Sequence, residues 1–160
     1  MNIEIVDIKI PEGGNIIIGR THFIKSVEDI YEAIVETNPN MKFGLAFNEA
    51  SGKRLIRVEG NDEKLKTLAV ENARNIGAGH IFVLVIKEGW PINILPRLKN
   101  VAEVVELFVA TANKCQIIVV ETDLGRGVLG VVDGEKPLGV ETEEDVNERI
   151  SFLRKVGYKR

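Results

Sequence analysis

The sequence predicts a single α/β domain with helices stacked on one mixed sheet. Three observations carry this. Strand and helix patterns interleave without a strict βαβ rhythm, which favours a mixed sheet over a purely parallel one. Residues 81–86 are continuously apolar, as expected of a central strand covered on both faces. No repeat, low-complexity segment or linker divides the 160 residues, a length that fits one domain.

The elements follow in order. Residues 1–10 alternate apolar and polar for much of their length and read as a half-buried strand. Pro11-Glu12-Gly13-Gly14 is a turn, and residues 15–19, with three consecutive isoleucines, are expected to return as its hairpin partner. Ser26 reads as a helix N-cap, with Glu28 and Asp29 in the first turn. Val27, Ile30, Tyr31, Ile34 and Val35 give that helix an apolar face, and Asn38-Pro39-Asn40 stops it. Residues 42–48 and 54–58 are short strands around Ala50-Ser51-Gly52. Asn61 or Asp62 caps the next helix, and Gly77 is placed to end it. After the 81–86 strand, Gly89-Trp90-Pro91 opens a loop, and a third helix is expected over 97–112. Residues 117–120 and 128–132 are strands joined by the glycine-bearing connection 123–127. Thr142, with Asp145 three residues on, caps a last helix, and Gly157 lies just past its end.

Composition excludes several classes. The chain is too apolar for disorder, and one cysteine cannot build an internal disulfide framework. The longest apolar run is far too short to span a bilayer. A net charge of 21 − 24 = −3 lacks the basic footprint of a nucleic-acid binder. The acidic, alternating N-terminus is not a signal peptide, so the expected compartment is the cytoplasm. Scarce Gln, Cys and Met beside many Glu and Lys lean towards a heat-tolerant source.

Several residues could carry chemistry. His80 follows Gly77-Ala78-Gly79 and precedes the buried strand, where two glycines allow a ligand or backbone to approach closely. A neutral imidazole nitrogen can accept a phosphoryl group. The alternative is a helix C-cap followed by a histidine that starts a strand. His22 has no comparable setting. Gly125-Arg126-Gly127 could cradle an anion between backbone amides and a guanidinium, or be a hairpin turn with an exposed arginine. The segment from Phe47 through Asn48, Glu49, Lys53 and Arg54 offers a carboxylate and two cations, or a solvated hairpin tip. Glu121-Thr122-Asp123 ends a buried strand, a usual place for ligand residues, and equally reads as a polar strand end. Asp123 could hold a metal, although no strong metal-ligand spacing is present. Trp90 could stack on a base or pack at a subunit interface. No Walker A motif and no GxGxxG after a strand occurs.

Taken in order, these segments resemble the adenosine-specific kinase family. The residues that carry the resemblance run from Phe43 to Gly52, Arg57 to Asp62 and Ile76 to His80. They continue through Pro91-Ile92-Asn93-Ile94-Leu95, Ala110-Thr111-Ala112-Asn113, Glu121-Thr122 and Gly125 to Gly134. Asn48 stands where cysteine is expected, and Lys114 where proline is expected. The resemblance implies a three-layer α/β/α sandwich, a homotrimer or higher homo-oligomer, and binding of adenosine and adenine nucleotides. It also implies phosphoryl transfer to adenosine, giving AMP, through a phosphohistidine at His80. Glu49 or Glu121 would orient the imidazole or take the acceptor's proton. Lys53, Gly77, Gly79, Asn93, Thr122, Gly125, Arg126 and Gly127 would hold the nucleotide, and Mg²⁺ could accompany its phosphates. The alternative is a non-enzymatic oligomeric adenine-nucleotide sensor. A blander one is a structural oligomer whose glycine-rich loops are only turns.

Overall fold

A computed structural model describes residues 1–160. Its elements are β1 (Asn2–Ile8), β2 (Asn15–Thr21), α1 (Ser26–Thr37), β3 (Lys42–Asn48), β4 (Ile56–Gly60) and α2 (Glu63–Ile76). They continue with β5 (Ile81–Lys87), α3 (Pro91–Lys99), β6 (Val104–Thr111), β7 (Cys115–Glu121), β8 (Arg126–Asp133) and α4 (Glu143–Lys155).

The α/β class and the layering are as expected, but the strands form two antiparallel sheets rather than one mixed sheet. Five strands run in the order β4-β3-β5-β2-β6, and three in the order β1-β7-β8. One face of the larger sheet packs on α1 and α3 through Phe43, Phe82, Ile30 and Ile94. The other packs on α2 and the smaller sheet through Val83, Val85, Ala69, Ala73 and Ile117.

β1 and β2 do not pair with each other. Ile16, Ile17 and Ile18 leave β2 no polar face, so it lies between β5 and β6, where both faces are covered. β1 buries Val6 and Ile8 on one side only and joins the smaller sheet through β7.

The expected helix over 97–112 is also corrected. Pro91 starts α3 earlier, at the position where a missing N–H costs nothing. Residues 104–111, rich in valine, form β6 and pair with β2 from Thr21↔Val104 to Ile16↔Thr111. Ser26 does not cap α1. Its hydroxyl meets Thr21 Oγ1 and donates to Glu103 Oε1 at 3.2 Å, so it ties the helix start to the residue before β6.

α2 follows its sequence signals. Asp62 accepts from Leu65 N at 3.0 Å, and Gly77 ends the helix in the left-handed region at φ 64°. Asp62→Ala should destabilise the protein by about 1 kcal/mol. A denaturant midpoint equal to that of wild type would show that the cap contributes nothing.

Candidate functional site

The C-terminal end of α2, the β3–β4 hairpin and the β7–β8 turn surround a cavity of about 660 Å³. Each wall is built from the residues that end an element. Asn48, the last residue of β3, donates through Nδ2 to Ala73 O at 2.9 Å and Ala78 O at 3.0 Å. Both carbonyls can only accept, so they fix the amide's orientation and satisfy the end of α2. Asn48 Oδ1 is left buried without a partner. Gly79 is required beside it, because a Cβ there would lie 2.9 Å from Ala50 Cβ at the hairpin tip.

Glu49 secures the hairpin. Its carboxylate accepts from Leu55 N at 2.8 Å and from Arg57 Nη2 at 2.8 Å. The Leu55 amide, then Arg57, hold its carboxyl below the usual carboxylate range. It is therefore an anion and a weak base. Arg54, in the left-handed region at φ 51°, also lines the cavity.

The β7–β8 turn closes the opposite side. Thr122 N donates to Gly125 O at 2.8 Å, and Thr122 Oγ1 accepts from the Leu124 and Gly125 amides. Arg126 then crosses to α2, where a Cβ on Gly77 would lie 3.3 Å from Arg126 Cδ. Its Nη2 is 2.9 Å from Glu4 Oε2, an ion-pair distance without hydrogen-bond alignment. Arg126 Nε and Nη2 are buried and have no hydrogen-bond partner. Arg54, Arg74 and Arg126 line the cavity with Glu49, and Glu4 stands beside Arg126, so the wall keeps one positive charge in excess and suits an anionic ligand.

The cavity brings together Glu49, Gly77, Gly79, Thr122, Gly125, Arg126 and Gly127 from the sequence-predicted set. It does not include His80, Glu121, Lys53 or Asn93 in its lining. His80 sits one residue past Gly79 at φ 64° and donates through its backbone N to Asn48 O at 2.7 Å. Its half-buried ring stacks on Phe47, with centroids 5.8 Å apart, and Phe47 belongs to the α1/α3 side of the sheet. Glu121 pairs with Arg126 in the β7–β8 ladder. Lys53 lies exposed on the hairpin. Asn93 lies on α3, where its Oδ1 accepts from Trp90 N at 2.8 Å. Trp90 is exposed beside a different hollow, with Lys9 and Lys114. Arg74 was missed by sequence reasoning; a cation in the last turn of α2 reads first as a partner for the helix dipole.

The family described as "Adenosine specific kinase" matches residues 6–159. The chain belongs to the adenosine-specific kinase family. The PH1918 protein from Pyrococcus horikoshii OT3, known from a crystal structure, has the same fold, with a TM-score of 0.95 and 45% identity. The match covers 99% of this chain and 98% of that one. No curated protein matches the chain. No helix is long and apolar enough to cross a membrane.

Proposed function

We propose that the protein transfers a phosphoryl group to adenosine and releases AMP. The observation that carries this reading is Arg126, whose buried Nε has no hydrogen-bond partner and whose Nη2 meets only the half-exposed Glu4, in a cavity that Arg54 and Arg74 also line. Burying such donors costs stability unless a ligand uses their charge. A planar guanidinium flanked by the Gly125 and Gly127 amides suits the equatorial oxygens of a transferring phosphoryl group. Arg54 and Arg74 add positive potential, and Lys53 stands outside the lining, exposed on the same hairpin. Thr122 holds the turn before Arg126 by accepting from the Gly125 amide, a long bond of 3.4 Å that a phosphate oxygen would have to replace. Glu49 positions the hairpin rather than acting as a base.

The covalent route through His80 is the finer part of this proposal. A neutral imidazole nitrogen would attack the donor's terminal phosphorus. The P–N bond forms as the P–O bond to the leaving nucleotide breaks. The adenosine hydroxyl would then attack phosphorus and break the P–N bond, its proton passing to the freed imidazole or to Glu121. Proximity to Gly79 supports this route, and it requires the ring to leave Phe47.

No group of three or more His, Cys, Asp or Glu residues is placed to hold a metal. Mg²⁺ would therefore arrive with phosphate oxygens and complete its shell with water and at most one or two carboxylates, Asp123 among them.

Nucleotide quantification and intact-mass measurement after incubation with ATP or ADP, with and without adenosine, test the two levels. AMP in excess of protein is the expected result, and its absence would favour a nucleotide sensor. A gain of one phosphoryl mass, lost in acid and absent from His80→Ala, is expected for the covalent route. Turnover without that gain would leave direct transfer in the cavity.

A further inference from the structure

A second hollow, of about 600 Å³, lies at the other end of the large sheet from the arginine-lined cavity. The cavity is lined by Gly79, just before β5, and the hollow by Asn15, which pairs with Ile86 near the end of that strand. The seven residues of β5, at about 3.3 Å each, put the two on the order of 20 Å apart. They share no lining residue.

The walls of the hollow are held by bonds made outside it. Buried Asn72 of α2 accepts from Lys9 N at 2.9 Å and donates to Lys9 O at 2.8 Å, which pins the chain leaving β1. Gly14 N donates to Pro11 O at 2.9 Å and closes the turn that follows. Trp90 N donates to Asn93 Oδ1 at 2.8 Å, and Pro91 starts α3 beside it. Between β6 and β7, Asn113 N donates to Thr111 Oγ1 at 3.0 Å. Walls fixed in advance lower the entropy cost of binding.

The groups these walls present are uncommitted. Trp90 is 60% exposed, and its indole pairs with no other ring. Asn15 is the stronger sign. It is 5% exposed, lines the hollow, and its carboxamide has no hydrogen-bond partner in the chain. Burying an amide unpaired costs free energy that the edge of a ligand would recover. A carboxamide sets a donor beside an acceptor, the pair that matches the amino group and ring nitrogen on an adenine edge. Lys9 is held by Glu71, whereas Lys114 has no carboxylate within ion-pair reach. Glu12 also lines the hollow, so ring and edge, rather than net charge, select the ligand.

We propose that this hollow is a second ligand site, for an adenine base stacked on Trp90 with its amino edge on Asn15. A phosphate on the same ligand would find Lys114. The volume lies within the range of about 300–1,000 Å³ usual for small-molecule sites. The proposal does not depend on phosphoryl transfer in the arginine-lined cavity.

Trp90 is the only tryptophan, so its emission reports this hollow directly. Adenosine and AMP, with excitation beyond the purine absorption band, should quench it saturably in wild type. The quench should be equal in Arg126→Ala, whose change lies in the distant cavity. Asn15→Ala should weaken both ligands about tenfold, the loss of one base-edge pair. It should keep its circular dichroism spectrum, and Asn15→Asp, isosteric but without the donor, repeats the test should Asn15→Ala misfold. Lys114→Ala separates the two occupants. An advantage of AMP over adenosine that disappears in this variant identifies a nucleotide, and equal affinities throughout identify the nucleoside. No saturable quench, a quench lost in Arg126→Ala, or one unchanged by substitution of Asn15 would each overturn the proposal. So would emission already blue-shifted in the unliganded protein, the mark of an indole covered by another chain.

Discussion

Arg126→Ala is expected to abolish most nucleotide binding while leaving the empty protein nearly as stable as before. Charge-assisted hydrogen bonds contribute about 1.5–3 kcal/mol each, so losing the guanidinium should weaken affinity about a hundredfold. A ligand at a hundred times its Kd stabilises a protein by about 2.7 kcal/mol. For a chain of this size that raises Tm by roughly 5–11 °C. After a hundredfold loss of affinity the same concentration leaves about 0.4 kcal/mol, a shift of about 1 °C. The empty variant should lose little, because the substitution removes a buried Nε that has no hydrogen-bond partner and an ion pair to a half-exposed Glu4, and exposed pairs of that kind contribute at most about 1 kcal/mol. Arg126→Lys keeps the charge but not the fork and should recover only part of the shift. Thermal unfolding of the three proteins, with and without ATP, decides the matter. A ligand-dependent shift that survives in Arg126→Ala would remove Arg126 from the site.

Gly44→Ala should have the largest effect on the fold. A Cβ at Gly44 would lie 2.2 Å from Leu65 C and 2.2 Å from Lys66 N. Both are backbone atoms in the first turn of α2, so no rotamer change relieves the clash. Either α2 lifts from β3 or β3 bends, and the helix that lines the cavity moves with it. The expected cost is at least about 3 kcal/mol, the upper range for overpacking a core. Gly52→Ala is the control. Its site is open, and its φ of 64° alone should cost about 1–2 kcal/mol. Equal denaturant midpoints for the two variants would refute the close approach.

The contrast between legible and illegible elements has a physical basis. α2 was readable because Asp62 and Gly77 mark both ends, and β5 because residues 81–86 admit no polar face. Residues 97–112 misled because valines and alanines at mixed spacing satisfy both periods. Pairing with β2 decided for strand, and that partner lies far away in sequence. The same holds for β1 and β2, whose connecting turn suggests a hairpin while burial sends them to different sheets. At the site, each glycine segment was visible alone. Only the fold shows that Gly77 faces Arg126, and that Phe47 takes the imidazole of His80. Asn93 carried the right functional group for nucleoside binding, but its carbonyl serves the start of α3.

The pairing of β1 with β7, from Asn2↔Glu121 to Ile8↔Cys115, has a consequence for synthesis. A chain emerging from the ribosome exposes its first strand long before the mate of that strand exists. The α2 and hairpin walls of the cavity can assemble early, whereas the wall carrying Arg126 waits for the last third of translation. Contacts this distant in sequence also slow folding. The cavity is therefore complete only after β8 has emerged, so whatever binds there meets a finished pocket after synthesis rather than during elongation.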